Sequence, residues 1–250
     1  MPVPAFRCPI CGSTLVRRDE RAACTYCGAE DGSYGRGGLA PWRCPEGHWL
    51  CEDCRTAAAK DLPGRVVGSL GGKDPFALAE LLMAHPAMRQ ETYGPDFHAI
   101  PPLSLLIALR NAGAWKGSEA RILAAVRRGV AMGSGSCYLS GACGACVGAG
   151  AAASAVLALD IESEDRGLAL GAVSAALGRL ARTGGRRCCA EAVYAALEGA
   201  LEILGDRLEA AAAMRRERIV CSFSASKPDC KGERCPYHPA AGCGEAESGA

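Results

Sequence analysis

Apolar residues recur at helical spacing along most of the chain that follows residue 73. Asp74 and Pro75 are typical of an N-cap and a first helical residue, and they predict a helix that extends to about His85. Pro101 begins a second apolar segment, which ends near Asn111. This pattern predicts that the larger part of the chain is mainly helical.

Further helices are predicted towards the carboxy terminus. Ser118 is an N-cap residue for a helix that extends through Arg128. A Gly/Ser/Cys loop at 133–144 separates this helix from the next ones, which are predicted to end near Leu159, to begin after Ser163 and to cover 188–204. The segment 219–223 predicts a short strand, and the tail after it is irregular.

The first 54 residues differ in composition from the rest of the chain, because they hold seven cysteines and few long apolar side chains. Such a segment cannot build an ordinary core. We therefore predict a mainly α protein, in which a small zinc-ribbon-like β module precedes an Ala/Gly-rich helical domain with a Cys-rich irregular tail. The predicted boundaries are a zinc-ribbon-like module at 1–40, a zinc-binding segment at 41–60, the helical Cys-rich domain at 74–240 and a flexible tail at 241–250.

Composition excludes several classes of protein. The 28 Lys and Arg residues nearly balance the 27 Asp and Glu residues, so no chain-wide basic field is available to attract nucleic acid. The amino terminus has no apolar segment typical of a secretory signal, and the uncharged stretch at 129–159 is too rich in Gly and Ser to span a membrane. We expect a cytoplasmic protein without a membrane partner, where 16 cysteines more often bind metal than form disulfides.

Eight residues near the amino terminus have the spacing of zinc ligands. Two C-x-x-C pairs, each followed by glycine, resemble the knuckles of a zinc ribbon, and a third group supplies three thiolates and an imidazole, which suit tetrahedral Zn²⁺. The ligands predicted for two zinc ions are Cys8, Cys11, Cys24 and Cys27, followed by Cys44, His48, Cys51 and Cys54.

Spacing leaves open which pairs share an ion, since the two sites could also be cross-braced by exchange of pairs. An iron–sulfur cluster at the four-cysteine set is an alternative to zinc. The second group also resembles the middle of a RING finger, but the further C-x-x-C pair that a RING needs is missing, because the next cysteine is Cys137.

The later cysteines predict a second kind of site. Cys143 lies where a glycine loop enters a helix, and Cys188 follows two arginines at another helix start, so both are placed where a thiolate is favoured. If these loops meet, they form a thiolate-rich pocket suited to a [4Fe–4S] cluster or a redox dithiol. His98 is a candidate fourth ligand or general base. Cys146 belongs to the C-x-x-C pair that begins at Cys143, but Cys146 and Cys243 are weaker candidates than the other later cysteines, because a buried cysteine can also serve as packing between Ala-rich helices.

Several strings of residues together resemble an uncharacterised Cys-rich domain family of anaerobic bacteria and archaea, sometimes joined to S-adenosylmethionine-dependent methyltransferases. These strings are Cys44 to Cys54, Tyr93 to Pro101, Arg110 to Gly113, Cys137 to Ala145, Arg187 to Cys189, and Cys221 to Pro236. The resemblance favours a cofactor site formed from Cys137, Cys143, Cys188, Cys189, Cys221, Cys230 and Cys235, with His98.

Two functions from different classes fit these patterns. The first is a metalloprotein with two structural zinc ions and an iron–sulfur or reactive-thiolate site, which serves redox or sulfur transfer, or assists a methyltransferase or radical enzyme as its protein partner. The second is a zinc-ribbon interaction module that binds a protein or nucleic acid without catalysis. The sequence does not decide whether the protein is an enzyme.

Overall fold

The structure is a computed structural model of the chain, and it describes residues 6–18, 21–30, 42–90, 93–228 and 230–241. Cys243, which was interpreted as a packing residue, lies outside these ranges, as does nearly all of the tail predicted at 241–250.

The described residues are mainly helical, as predicted. Four 3₁₀ turns connect the longer elements, at Ala59–Asp61, Pro95–Ala99, Glu164–Arg166 and Gly232–Arg234. The helices are α1 (Glu52–Arg55), α2 (Leu62–Val66), α3 (Pro75–Met83), α4 (Pro86–Gln90), α5 (Ile100–Asn111), α6 (Glu119–Val130), α7 (Ser136–Leu139), α8 (Gly144–Leu157), α9 (Gly167–Thr183), α10 (Cys189–Gly205) and α11 (Glu209–Ala213).

The predicted start signals are confirmed at two helices. The Asp74 side chain accepts hydrogen bonds from the first two amides of α3 beyond Pro75, and the Ser118 hydroxyl accepts one from Arg121 in α6. These bonds satisfy amide groups that a helix leaves without partners at its amino terminus. Local chemistry therefore sets both helix starts.

Two local predictions were wrong. The loop at 133–144 contains the short helix α7, and residues 219–223 form no strand but an irregular segment that ends in a turn. The apolar side chains of Ile219 and Phe223 are nevertheless buried. Their burial against the helical core explains the apolar pattern that predicted a strand.

The helical domain packs around α5, whose side chains from Leu103 to Leu109 are almost completely buried. Helices α8, α9 and α10 contact one another, and α8 also lies against α5 and α6. Gly199 on α10 faces α9 so closely that a Cβ atom would lie 2.7 Å from the Ala176 nitrogen. Small residues thus let the helix backbones approach each other, which brings the amino-terminal ends of α8 and α10 to one cavity.

The amino-terminal module contains a two-stranded antiparallel sheet, β1 (Val16–Arg17) and β2 (Trp42–Arg43). Tyr26 anchors the module on the helical domain, because its fully buried ring packs edge-on against His85 and its hydroxyl donates a 2.8 Å hydrogen bond to the Leu81 carbonyl. The module and the helices therefore share one core.

Within the described residues, we find no helix with the length and apolar character needed to cross a bilayer.

Candidate metal centres

Each predicted knuckle lies at the tip of a small hairpin. Arg7 and Thr14 pair across the first hairpin, and Ala23 and Glu30 pair across the second. Gly12 closes the first turn with a positive φ of 79°, a backbone conformation that favours glycine. The sequence pattern C-x-x-C-G therefore produces the local geometry that holds two thiols side by side.

The ligands of the two sites interleave along the chain. Their ligand atoms lie within 4.8 Å of one another in two sets, which are Cys8, Cys11, Cys44 and His48, and Cys24, Cys27, Cys51 and Cys54. The two sites are therefore cross-braced, which is the alternative that the spacing left open. The sequential pairing of a zinc ribbon, in which Cys8, Cys11, Cys24 and Cys27 share one ion, is not found. Segments 1–40 and 41–60 each contribute to both sites.

The contacts within each set match the size of one ion. The Cys11 and Cys44 sulfurs are 3.5 Å apart, and the Cys27 and Cys51 sulfurs are 3.6 Å apart. A zinc ion with Zn–S bonds of about 2.3 Å holds tetrahedral sulfurs roughly 3.8 Å apart. Each set of four donors could therefore bind a single metal ion such as zinc.

The electrostatics of these sets favour a bound cation. Burial raises the pKa of Cys8 to about 11, although hydrogen bonds with the Cys11 and Ile10 backbone act in the opposite direction. Burial and the neighbouring Cys24 thiolate also raise the pKa of Cys54. A divalent cation stabilises thiolates and reverses such shifts, so metal binding releases protons and contributes to folding.

Four of the later cysteines line a small cavity between the start of α10 and the tail. These residues are Cys188, Cys221, Cys230 and Cys235. In contrast to the amino-terminal sets, they form no group of three ligand atoms within 4.8 Å, within the part of the chain that the structure describes. Their arrangement is wider than the one that a single tetrahedral ion draws together.

Backbone hydrogen bonds fix the tail that carries three of these thiols. The Cys221 amide donates to the Tyr237 carbonyl at 2.8 Å, and the Phe223 amide donates to the Cys221 sulfur at 3.4 Å. Glu80 on α3 accepts hydrogen bonds from the Tyr194 and Ser222 hydroxyls. The tail is therefore held against α3 and α10 although it has no regular strand.

A buried ion pair lies beside this cavity. Lys231 Nζ is 2.6 Å from Glu191 Oε2, with side chains that are 5% and 2% exposed. The other Glu191 oxygen, Oε1, has no hydrogen-bond partner among the described residues. Burial raises the pKa of Cys188, Cys221 and Cys235, and the pKa of Cys235 reaches about 11. These buried thiols and the carboxylate would all gain from a nearby cation.

The remaining predicted cofactor residues line a second cavity of about 390 Å³. It contains Cys137, Cys143, Cys189 and His98, whereas Cys188 lines both cavities. The structure therefore has two cavities where the sequence predicted one pocket. Glu191 and Lys231 line both cavities and form the wall between them.

Cys146 is a residue that the sequence analysis ranked below the other later cysteines. Its thiol is fully buried on the first turn of α8, three residues after Cys143, and it forms a hydrogen bond with the Cys143 side chain. The C-x-x-C spacing at a helix start indicated a thiol pair, and the surrounding Ala and Gly residues left packing as the alternative.

Comparison with known proteins gives a family but no function. Residues 65–238 match the model of a family of unknown function, DUF5714. The matched residues include the helical domain and the two cavities that the later cysteines line. No curated protein matches the chain, and no solved structure does.

Proposed function

Because the chain belongs to the DUF5714 family of unknown function, we propose its role from the geometry of its thiols. It is a metal-dependent redox protein, in which two zinc ions stabilise the amino-terminal module and an iron–sulfur cluster is bound in the helical domain. The zinc sites serve structure, because each has four protein donors and leaves no position open for a substrate.

The observation that supports the cluster best is the cavity lined by Cys188, Cys221, Cys230 and Cys235. Four thiolates are the ligands of a [4Fe–4S] cluster, and each of them binds a different iron atom, so they stand further apart than the ligands of one zinc ion. That three or more of these sulfurs do not lie within 4.8 Å of one another, among the described residues, agrees with cluster ligands rather than with one zinc ion. When bound, such a cluster supplies one-electron transfer.

The cavity surroundings fit this group as well. The Phe223 amide already donates to the Cys221 sulfur, and hydrogen bonds to sulfur are one means by which proteins tune cluster potentials. The Lys231–Glu191 ion pair also lines this cavity, so the lysine is placed to share its charge between the carboxylate and thiolates bound to a cluster.

Anaerobic purification of the full chain, followed by metal analysis and a visible spectrum, tests this function. We expect iron together with the broad visible absorbance of thiolate-bound iron, in addition to zinc. Cys188→Ser and Cys235→Ser should each lose more than half of the iron, because one of four ligands is removed. Cys143→Ser is the matched control, since Cys143 lines the other cavity, and its iron content should stay at the wild-type level.

Two outcomes contradict the proposal. Protein that contains a third zinc ion and no iron would mean that these cysteines have a structural role. Iron that survives in the Cys188→Ser/Cys235→Ser double variant would mean that the ligands lie elsewhere.

We also propose a protein partner for this activity in the cytoplasm, either a methyltransferase or a radical enzyme. The sequence resemblance to domains joined to S-adenosylmethionine-dependent enzymes supports this choice. The test is electron transfer from the reduced chain to a purified enzyme of this class, with Cys188→Ser as the inactive control.

One observation favours the alternative function as an interaction module. Phe6 and Trp42 form an aromatic pair on the amino-terminal module, with ring centroids 5.4 Å apart, and their residues are 55% and 43% exposed. Exposed aromatic pairs are typical of surfaces that bind other molecules. If the helical domain binds no iron, this surface becomes the stronger functional candidate.

A further inference from the structure

The second cavity holds a pair of thiols that the proposed cluster does not use. Cys143 precedes the first residue of α8, a helix of 14 residues, and Cys146 lies on its first turn. Cys143 lines the cavity, whereas Cys146 lies behind it with 0% of its surface exposed. An accessible first cysteine and a covered second one are the arrangement in which a dithiol exchanges with a disulfide.

His98 provides an independent sign that this end of α8 receives a ligand or a proton. The residue is 9% exposed and lines the cavity, and its Nδ1 atom has no hydrogen-bond partner among the residues described. Its ring packs so closely on Gly144 that a side chain at that position would overlap it. A buried acceptor without a partner destabilises the fold, and a ligand or proton bound at this end of the cavity would supply that partner.

The electrostatics separate the roles of the two thiols. A hydrogen bond with the Cys146 side chain, opposed by burial and helped by the Cys146 and Ala145 amides, lowers the pKa of Cys143 to about 6. The same hydrogen bond, followed by burial, raises the pKa of Cys146. At neutral pH, Cys143 is therefore the thiolate that attacks, and Cys146 keeps its proton until the second step.

Positive charge borders the cavity on the side of the 184–188 loop. Arg186 and Arg187 both line it, and the Arg187 guanidinium lies over the Tyr93 ring at 4.0 Å from the ring centroid. This stacking holds the guanidinium in place, where it attracts a ligand of negative charge. A volume of about 390 Å³ suits a small molecule rather than a folded protein.

We propose that Cys143 and Cys146 form an exchange pair that reduces small, negatively charged disulfides bound in this cavity. This activity does not depend on the proposed cluster, because neither thiol lines the four-cysteine cavity.

The reaction proceeds in two balanced steps. The Cys143 thiolate attacks one sulfur of the substrate disulfide, the substrate S–S bond breaks, and the departing thiolate takes up the proton that Cys143 had released to solvent. The Cys146 thiol then releases its proton and attacks the Cys143 sulfur. The mixed disulfide breaks, and the second substrate thiolate takes up a proton in the cavity that His98 lines. Two electrons move from the protein to the substrate, which leaves as two thiols.

The test uses the reduced full chain, purified anaerobically with its metals, and two disulfide probes. Dithiobis(nitrobenzoate) carries two negative charges, and dithiodipyridine is neutral. Acid quenching at short times, followed by alkylation and peptide mass spectrometry, reports the state of each cysteine separately. The wild-type chain should form a Cys143–Cys146 disulfide and release two reporter thiols for each disulfide formed.

Three variants assign the roles. Cys146→Ser should stop at a mixed disulfide on Cys143 and release one reporter thiol. Arg187→Gln should slow the reaction with the anionic probe by roughly threefold or more and leave the neutral probe unaffected. Arg182→Gln, which removes an exposed arginine that does not line this cavity, should react with both probes at the wild-type rate.

The proposal is overturned if Cys143 pairs with Cys189 instead, if Cys146→Ser accumulates no mixed disulfide, or if the two probes respond equally to Arg187→Gln. The disulfide map of the wild-type chain needs no variant, so it decides the matter even if a variant does not fold. Iron measured in the same samples tests the proposed cluster separately, because exchange is expected whether or not iron is bound.

Discussion

At the scale of single residues, the neighbours of a thiol determine its pKa more than its position at a helix start does. Cys143 and Cys188 both precede a helix, yet their pKa values move in opposite directions. In Cys143 the hydrogen bond with Cys146 outweighs burial, whereas in Cys188 burial outweighs the hydrogen bonds from the backbone. A helix start alone therefore does not make a cysteine reactive.

The low pKa of Cys143 predicts an early plateau in its alkylation by iodoacetamide. The folded chain should label Cys143 at a rate that rises up to about pH 7 and then stays constant, because its pKa is about 6 rather than 9.0. The titratable neighbours of Cys143 are Cys146, His98 and Cys189. Repeating the profile in Cys146→Ser removes the first of these groups and shows how far it lowers the pKa of Cys143. Peptide mass spectrometry gives the rate at Cys143.

The same peptide in denaturant provides the control, since its alkylation rate should continue to rise through pH 9.0. A folded-state profile that coincides with the denatured one would show that the thiol is not activated.

At the scale of secondary-structure elements, glycine and alanine allow the helices to approach closely enough to form the two cavities. Gly148 on α8 faces Pro102 on α5, where a Cβ atom would lie 2.8 Å from the proline Cδ. Gly129 on α6 contacts the His98 carbonyl in the same way. These contacts position His98 beside the start of α8.

The packing of α9 on α10 predicts opposite effects for two Gly→Ala substitutions. Gly199→Ala should destabilise the chain by about 1–3 kcal/mol, because the new methyl group would overlap the α9 backbone. Gly178→Ala, in the interior of α9, where a Cβ atom would make an ordinary 3.6 Å contact with the Arg182 side chain, should be neutral or stabilise by about 0.4–1 kcal/mol. Urea unfolding of the metal-loaded proteins measures both changes. Equal effects of the two substitutions would contradict the close approach of these helices.

At the scale of the whole molecule, metal binding joins the two hairpin knuckles to the segment at 44–54, and the shared core joins this module to the helices. Each proposed ion bridges one hairpin knuckle and one half of the segment at 44–54. Arg89 on α4 donates a hydrogen bond to the Ile10 carbonyl within the first knuckle, so the metal module is also attached to the helices. The module therefore depends on ligands that are far apart in the sequence.

This interleaving predicts a pattern of zinc loss in double variants. Cys8→Ser and Cys44→Ser should each remove about one zinc ion, and the double variant should lose no more, because both residues belong to one set. Cys8→Ser combined with Cys24→Ser should lose about two, since these residues belong to different sets. Zinc content by elemental analysis measures both. Sequential pairing would give the reverse pattern, with Cys8 and Cys24 acting together.

The sequence by itself determined the local parts of this protein. Caps such as Asp74 and Ser118 act within one turn, and the C-x-x-C-G pattern fixes the geometry of a knuckle within five residues, so helix starts and ligand identities followed from spacing. Only the tertiary structure decided which knuckles share an ion and which of the later cysteines meet.

The physical reason is that these pairings depend on how distant segments pack. The positions of Cys188 and Cys235 follow from the contacts of α10 and of a tail that is held by Glu80, and no local pattern encodes those contacts. Cys146 shows the same limit, because the sequence leaves packing as an alternative for a cysteine among small residues, and only the fold shows its buried thiol against the Cys143 side chain.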